Sequence, residues 1–417
     1  MPQINRNLNL LIQGQFVSDL GTQAFLIAAV FFTLETTGSG FLVATVMLAS
    51  SVPAAVLAPL GGAVADRHSR RAILIVTDWS RAVAVGGLWV FIEWGAGDPT
   101  ANVAAILAVA AFNGIMGAFF APAVQSFIPD LVARERLTSA NSFAQMSRQT
   151  ATLLGQAIGG VLYVSWGLGG LMLFDTLSFA YGGLATGFVQ ADRPHSRVAA
   201  SLSGFLRGYL AETRQGIAYV WRREGMRNLL VFFAGVNFLF VPVFVLLPLY
   251  VNEVLGQGPE LYGFLLAGSG AGAVAGSLAA SALQARTGSR VRLVRACVGA
   301  LALALMLLAA ARVPWMALVA FAVIGGASSV VNVIVVTAFQ SGAPFDLRGR
   351  VMAVVVALSS AAIPLGMAAG GVIGDVWRDS LGAVLALSSA AVALLVAATW
   401  RLPGIGQVLD GDSAAGE

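Results

Sequence analysis

Twelve apolar runs, each about as long as a bilayer is thick, leave this chain few ways to fold. They lie at roughly 11–33, 41–64, 72–94, 101–123, 140–163, 168–189, 228–250, 261–283, 293–311, 315–338, 351–374 and 381–400, and a helical span needs about 20 mainly apolar residues. Runs this continuous are unlike the short alternating segments of an outer-membrane barrel, so the expected class is an all-α integral membrane protein. A composition of 58% hydrophobic and 11% charged residues, with a mean hydropathy of +0.83, excludes both a soluble fold and disorder. The first run carries Gln13, Gln15 and Asp19 and lacks a small-residue cleavage site, so it is expected to be a retained helix.

The residues from Gly62 to Arg71 form a polar hinge between two of these runs, and a loop of that kind turns at a membrane face. Positively charged short loops stay on the cytoplasmic side. On a twelve-span path Arg6, Arg67, Arg70, Arg71, Arg134, Arg136, Arg286, Arg290, Arg348, Arg350 and Arg401 share one side, whereas Arg312 and Arg378 fall on the other. Both termini are therefore expected in the cytoplasm of a cell with this protein in its inner membrane. The net charge of +4 reflects that topology and gives nucleic-acid binding no support. The chain has no lysine, so it cannot form a Walker-type phosphate loop, and one cysteine with two histidines makes a metal cluster unexpected. No cofactor is expected.

The spans divide into six and six, giving expected units at 1–190 and 228–401, a linker at 191–227 and a cytoplasmic tail at 402–417. In the linker, Phe205, Leu206, Tyr209, Leu210, Ile217, Val220 and Trp221 recur at helical spacing among Arg207, Glu212, Arg214, Arg222 and Arg223. This pattern suggests an amphipathic helix on the inner leaflet, with a solvated linker as the alternative. The polar, Gly-rich tail is expected to be disordered.

The two halves repeat. Gln125-Ser126-Phe127-Ile128-Pro129 precedes the fifth span as Gln340-Ser341-Gly342-Ala343-Pro344 precedes the eleventh, and Gly155, Gly159, Gly160 and Val161 match Gly366, Gly370, Gly371 and Val372. Parallel repeats imply two six-helix bundles related by a pseudo-twofold axis along the membrane normal, with a binding site between them near the midplane. Small-x-x-x-small stripes mark every third helix: Ala58 and Gly62, Gly155 and Gly159, Gly268, Gly272 and Gly276, then Gly366, Gly370 and Gly374. Such stripes let helix backbones approach closely in lipid.

With these features the chain resembles the major facilitator superfamily over nearly its whole length. The superfamily's loop between helices two and three reads Gly-x-x-x-Asp-Arg-x-Gly-Arg-Arg/Lys. Gly62, Asp66, Arg67, Arg70 and Arg71 fit it, and Ser69 stands where glycine is usual. The loop between helices eight and nine keeps Arg286, Gly288 and Arg290 but has Ala285 in the acid's place. Ser18-Asp19-Leu20-Gly21, Glu135-Arg136-Leu137, Ala140-Asn141 and Leu347-Arg348-Gly349-Arg350-Val351-Met352-Ala353 resemble the branch that includes enterobactin and macrolide exporters. The antiporter element Gly-Pro-x-x-Gly-Gly keeps its glycines at Gly155, Gly159 and Gly160 but has Gln156 for proline.

Ionisable groups inside a span are costly and usually functional. Asp19, Asp78, Arg81, Arg148 and Asp175 stand out, all in the first half. Asp19 is the leading proton-coupling candidate, because it shares a face of helix one with Gln15, Thr22 and Gln23; a structural capping bond is the alternative. Arg148, in a stripe with Gln145, Gln149, Thr152 and Gln156, could pair with Asp19 or Asp175, hold an anionic part of a substrate, or serve structure alone. Asp78 and Arg81 are expected to pair locally or buttress the Asp66 loop near the cytoplasmic end. Asp175 is either a second proton-coupling candidate or structural.

A cytoplasmic gate is expected from Gly62, Asp66, Arg67, Arg70, Arg71 and Arg350, with Asp66 set against the start of helix eleven. Those arginines could instead only enforce topology. Gln15, Gln23, Asn113, Gln145, Gln149, Gln156, Asn237 and Asn332 are the substrate-cavity candidates. Few fixed charges suit amphipathic or hydrophobic molecules better than sugars or phosphates.

The expected protein is a monomeric secondary transporter that exports small hydrophobic or amphipathic molecules by alternating access, driven by proton entry. Its partners are the substrate, protons and the lipid bilayer. An uptake carrier or uniporter is the nearest alternative, and a non-transporting membrane sensor is an alternative of another class. An enzyme is not expected, because no nucleophile–base pair or metal cluster is present.

Overall fold

A computed structural model describes residues 5–95, 97–190, 214–344, 347–398 and 403–410. These are helical nearly throughout, and eleven of the helical stretches are long and apolar enough to cross a membrane. The first five helices are α1 (Arg6–Thr37), α2 (Gly40–Ala65), α3 (Arg70–Trp94), α4 (Pro99–Leu131) and α5 (Leu137–Gly187). A short helix α6 covers 214–222. Then follow α7 (Glu224–Leu249), α8 (Pro259–Thr287), α9 (Arg290–Ala310), α10 (Pro314–Gly342), α11 (Arg348–Val376), α12 (Leu381–Ala398) and α13 (Ile405–Asp410).

The eleven stretches make twelve crossings, because α5 is two spans joined at Gly167. That residue has φ 63° and ψ −172°, a conformation open to glycine and closed to helix. Contacts with α1 show that the chain reverses there. Gly155 meets Leu20, Gly159 meets Ala24 and the Tyr163 hydroxyl donates to Glu35 at 2.8 Å, so the first limb runs parallel to α1. Ser178 meets Gly21, Gly182 meets Ser18 and Ala185 meets Gly14, so the second limb runs antiparallel to α1.

Two compact units result, one drawn from Met1–Leu202 and Gly258–Phe264, the other from Ser203–Gln257 and Leu265–Glu417. Their internal packing repeats. A Cβ on Gly159 would stand 2.7 Å from the Ala24 Cα, and one on Gly370 2.9 Å from the Pro242 Cα. Likewise Gly155 abuts the Leu20 carbonyl as Gly366 abuts that of Phe238, and Gly114 abuts the Ser50 carbonyl as Gly325 abuts that of Ser269. In this register Asp19 corresponds to Asn237. The buried stripe of α3, Leu74, Thr77, Asp78, Arg81, Ala82, Val85 and Leu88, recurs residue for residue in α9 as Val294, Cys297, Val298, Leu301, Ala302, Leu305 and Leu308.

Three expectations need correction. In α2 the close approach belongs to Gly61, whose Cβ would strike the Ala118 carbonyl, while Gly62 has nothing within 4 Å. One residue turns the helix by about 100°, enough to take a glycine off the interface. The tail is ordered at 405–410, where Ile405, Val408 and Leu409 are buried and Asp410 accepts the Arg290 N–H at 2.7 Å. The described part of the linker belongs to the second unit. There Val220 is buried, Gly216 packs on the Arg350 carbonyl and the Tyr219 hydroxyl donates to the Gly342 carbonyl at 3.2 Å. Ile217 and Trp221 are exposed, and α7 begins at Glu224, before the expected 228. Phe205, Leu206, Tyr209, Leu210, Arg207 and Glu212 lie outside the described residues.

Candidate functional site

The first unit holds a charge cluster at its heart. α1 carries Gln15, Asp19 and Gln23 at successive four-residue steps along one face. α3 brings Asp78 and Arg81 into the interior on its buried stripe, and the second limb of α5 brings Asp175 and Ser178. Asp175 is fully buried, Asp78 is 2% exposed and Arg81 is 8% exposed. The Ser178 hydroxyl lies 2.8 Å from the Asp175 carbonyl and 3.3 Å from its Oδ1, and the Ser18 hydroxyl donates to the Ser178 carbonyl at 3.2 Å.

Arg81 is the centre of this arrangement. Its guanidinium carbon is 5.0 Å from the Phe120 ring centroid and 5.4 Å from that of Phe179, so the cation lies against two aromatic faces. Asp78, Asp175 and Asp19 all act on it electrostatically, and Asp19 also feels Arg148. Yet among the described residues no nitrogen–oxygen pair within 4.0 Å joins these groups. The Arg81 Nε, Asp78 Oδ1, Asp175 Oδ2, Gln15 Nε2 and Arg148 Nε are buried without a protein hydrogen-bond partner. Three acids and two guanidinium groups leave one negative charge in excess when all are ionised. Such a cluster can take up a proton or a cation without breaking a closed ion pair.

Asp78 and Arg81 are thus not a local pair beside the Asp66 loop. They belong with Asp19 and Asp175, and the stripe from Leu74 to Leu88 was the signal that could have placed them. Of the polar stripe on α5, Gln145 and Gln149 are exposed, while Gln156 donates to Gln23 at 3.4 Å. Asn113 is half-buried with its carbonyl oxygen unpartnered.

The hinge arginines hold the first unit together. Arg70 donates to Asp130 at 2.6 Å and to the Ser126 carbonyl at 2.8 Å, at the end of α4. Arg71 donates to the Thr186 carbonyl at 3.4 Å and to that of Gly187, at the end of α5. Gly187 is the last residue of α5, where the helix leaves a carbonyl open, and cations at a helix C-terminus meet the negative end of its dipole. Asp66 closes α2 and is exposed, Arg67 is half-buried, and Arg350 donates to Gln215 at 2.8 Å within the second unit.

The second unit has a cavity of about 370 Å³ lined by Phe233, Asn237, Phe240, Val241 and Phe244 from α7, with Leu301 from α9 and Ser328 and Asn332 from α10 among the rest. It brings Asn237 and Asn332 together, and none of its lining residues is charged. The Asn237 amide donates to its own Phe233 carbonyl at 2.9 Å.

The chain is 26% identical over 246 residues to macrolide efflux protein A of Streptococcus pyogenes, a match covering 59% of each chain. It therefore spans less than two thirds of that relative's length. It is 28% identical over 374 residues to the multidrug efflux pump Tap of Mycobacterium tuberculosis, covering 88% of this chain and 86% of that one. In fold it is similar to a bacterial homologue of the iron transporter ferroportin, with a TM-score of 0.75 at 17% identity over 95% of this chain and 98% of the other. The model of the Major Facilitator Superfamily matches residues 11–367, so the chain belongs to that superfamily and is a membrane transporter rather than an enzyme.

Proposed function

We propose that this protein exports small hydrophobic or amphipathic molecules across the inner membrane, in exchange for protons, by alternating access of two six-helix units. The named relatives are efflux proteins, and the arginine asymmetry supports cytoplasmic termini. The single observation that carries proton coupling is that Asp19, Asp78 and Asp175 all act electrostatically on buried Arg81, while Arg148 acts on Asp19. Its one excess negative charge fits the uptake of one proton per cycle. Buried charge without full compensation is expensive, so loading and releasing that proton favours different surroundings and hence different states.

Asp19 is the group that loads the proton, because it alone of the three acids is only partly buried and shares its face with Gln15 and Gln23. Asp78 and Asp175 balance the charge of Arg81. Exposed Asp66 acts as the acid of the cytoplasmic gate, with Gly62, Arg67 and Arg350 as its other members and Arg70 and Arg71 anchoring the loop. The protein works as a monomer in lipid.

Everted vesicles loaded by an imposed pH gradient test this reading. Asp19→Asn is expected to reduce proton-driven substrate accumulation to background while equilibrium substrate binding stays within about threefold of the native value. Undiminished accumulation would exclude Asp19 as the coupling group.

A further inference from the structure

The two arginines that fall on the far side of the twelve-span path, Arg312 and Arg378, meet in one pocket of the second unit. Arg312 follows the end of α9 and Arg378 the end of α11, so both lie at the opposite end of that unit from Arg290 and Arg348, where those helices start. With Glu253, Asp379 and Ser380 they line a cavity of about 430 Å³ that reaches the first turn of α12. Helix packing sets its frame. The chain leaves α7 through a π turn, Tyr250–Val254, and the buried Tyr250 hydroxyl lies within hydrogen-bond distance of the Leu308 carbonyl and, at 3.3 Å, of that of Ala311. This contact ties the end of α9 to the end of α7 and brings Arg312 to the same pocket as Glu253. Such π turns are rare and frequently sit at functional sites.

Four charges of two signs share the pocket. Arg378 donates to Glu253 through Nε at 2.5 Å, and that pair neutralises itself. Arg312 gives one N–H to the neighbouring Ala311 carbonyl at 3.1 Å, and Asp379 acts on Arg378 electrostatically, but among the described residues neither makes an ion pair. Guanidinium donors left open match a phosphate, and an open carboxylate matches an ammonium group. Because the four charges sum to zero, a ligand that carries both signs fits better than an ion of either. Trp315 and Trp377, close in sequence to the two arginines, are exposed, as are Val313 and Val376. Tryptophans at the ends of spans mark the headgroup level of a bilayer.

We propose that this pocket binds a phosphate ester of a primary amino alcohol, the chemistry of a phosphatidylethanolamine headgroup, with Arg312 on the phosphate and Asp379 on the ammonium group. The site is separate from the charge cluster of the first unit and does not depend on the transport reading.

Native mass spectrometry of the purified full chain, titrated with phosphatidylethanolamine, phosphatidylcholine or phosphatidylglycerol of identical acyl chains, tests it. One phosphatidylethanolamine is expected to bind about fivefold more tightly than either of the others, the scale of a partly exposed charged contact. Phosphatidylcholine keeps the phosphate but has no ammonium N–H to donate, and phosphatidylglycerol has no cation. Arg312→Gln and Asp379→Asn, both at exposed side chains, are each expected to remove that preference. Equal binding of the three lipids by the native chain overturns the proposal, as does an undiminished preference in either variant. Free phosphoethanolamine added as a competitor separates the two sources of this chemistry. Displacement of the lipid at equal concentration assigns the pocket to a soluble ester, and retention of the lipid against a large excess assigns it to the membrane.

Discussion

In the first unit the buried stripe of α3 presents Asp78 and Arg81, and in the second the matching stripe of α9 presents Val298 and Leu301. The difference extends through the cluster. Asp19 is matched by Asn237. The spacing of Leu168, Leu171, Met172 and Phe179 recurs as Leu381, Val384, Leu385 and Val392, which sets Asp175 opposite Ser388, and the latter donates only to its own Val384 carbonyl at 3.0 Å. One packing scheme therefore carries two chemistries. Glycine contacts between helix backbones do not depend on what the stripes present, so the units could diverge in charge while keeping their architecture. Confining the charges to one unit means that the desolvation penalty of a buried ionic cluster is met once.

The strongest way to break this comparison is to give the first unit the residues of the second. Arg81→Leu leaves three carboxylates around a site without its central cation. Removing one partner from a buried charge group costs about 3–5 kcal/mol, so a marked fall in the thermal unfolding temperature of the purified protein is expected. Arg81→Leu with Asp78→Val reproduces the pair found in α9 and is expected to recover more than half of that loss, with transport still absent. If the double variant is no more stable than the single one, the correspondence between α3 and α9 does not extend to their energetics.

How far these features were legible depends on their length scale. Spans are long runs, and the repeat shows as glycines in matching order, so both could be read from the sequence. The reversal at Gly167 follows from the break between two apolar runs. Asp78 and Arg81 were misplaced because an acid and an arginine three residues apart look alike whether they stand at a helix end or in its interior. Only the spacing of Leu74, Thr77, Ala82, Val85 and Leu88 around them distinguishes the two. Gly61 and Gly62 are adjacent, and sequence alone does not tell which faces α4. The cavity was out of reach altogether, since it depends on how α7, α8, α9 and α10 pack together.

A smaller effect probes the shared architecture. A methyl group on Gly114 or on Gly325 would run into the backbone of the neighbouring helix, at Ser50 and Ser269 respectively. Helix backbones cannot retreat cheaply, and overpacking costs about 1–3 kcal/mol. Gly114→Ala and Gly325→Ala are therefore expected to lower the unfolding temperature by similar amounts, whereas Gly62→Ala, which meets nothing within 4 Å, should not lower it, since alanine is the better helix former. Unequal losses at Gly114 and Gly325 would show that the repeat is geometric but not energetic.

The smallest predicted effect concerns the two helices that begin after the polar hinges. Ser69 caps α3 by accepting the Ala72 N–H at 3.3 Å, and Ser289 caps α9 by accepting that of Arg292 at 3.4 Å. At α9 a second cap is added from α13: Asp410 accepts the Arg290 N–H at 2.7 Å and the Ser289 hydroxyl at 3.1 Å. The hinge before α9 has Ala285 where the first unit has Asp66, so the tail brings a carboxylate to a helix start whose own loop lacks that acid. A carboxylate there satisfies an open N–H and meets the positive end of the dipole. Asp410→Ala is expected to destabilise the second unit by about 1 kcal/mol, a loss typical of a capping group, and to raise hydrogen exchange in the first turn of α9 but not of α3. Equal exchange in both turns would mean that the tail adds nothing to the cap, and that the two helix starts are held in the same way.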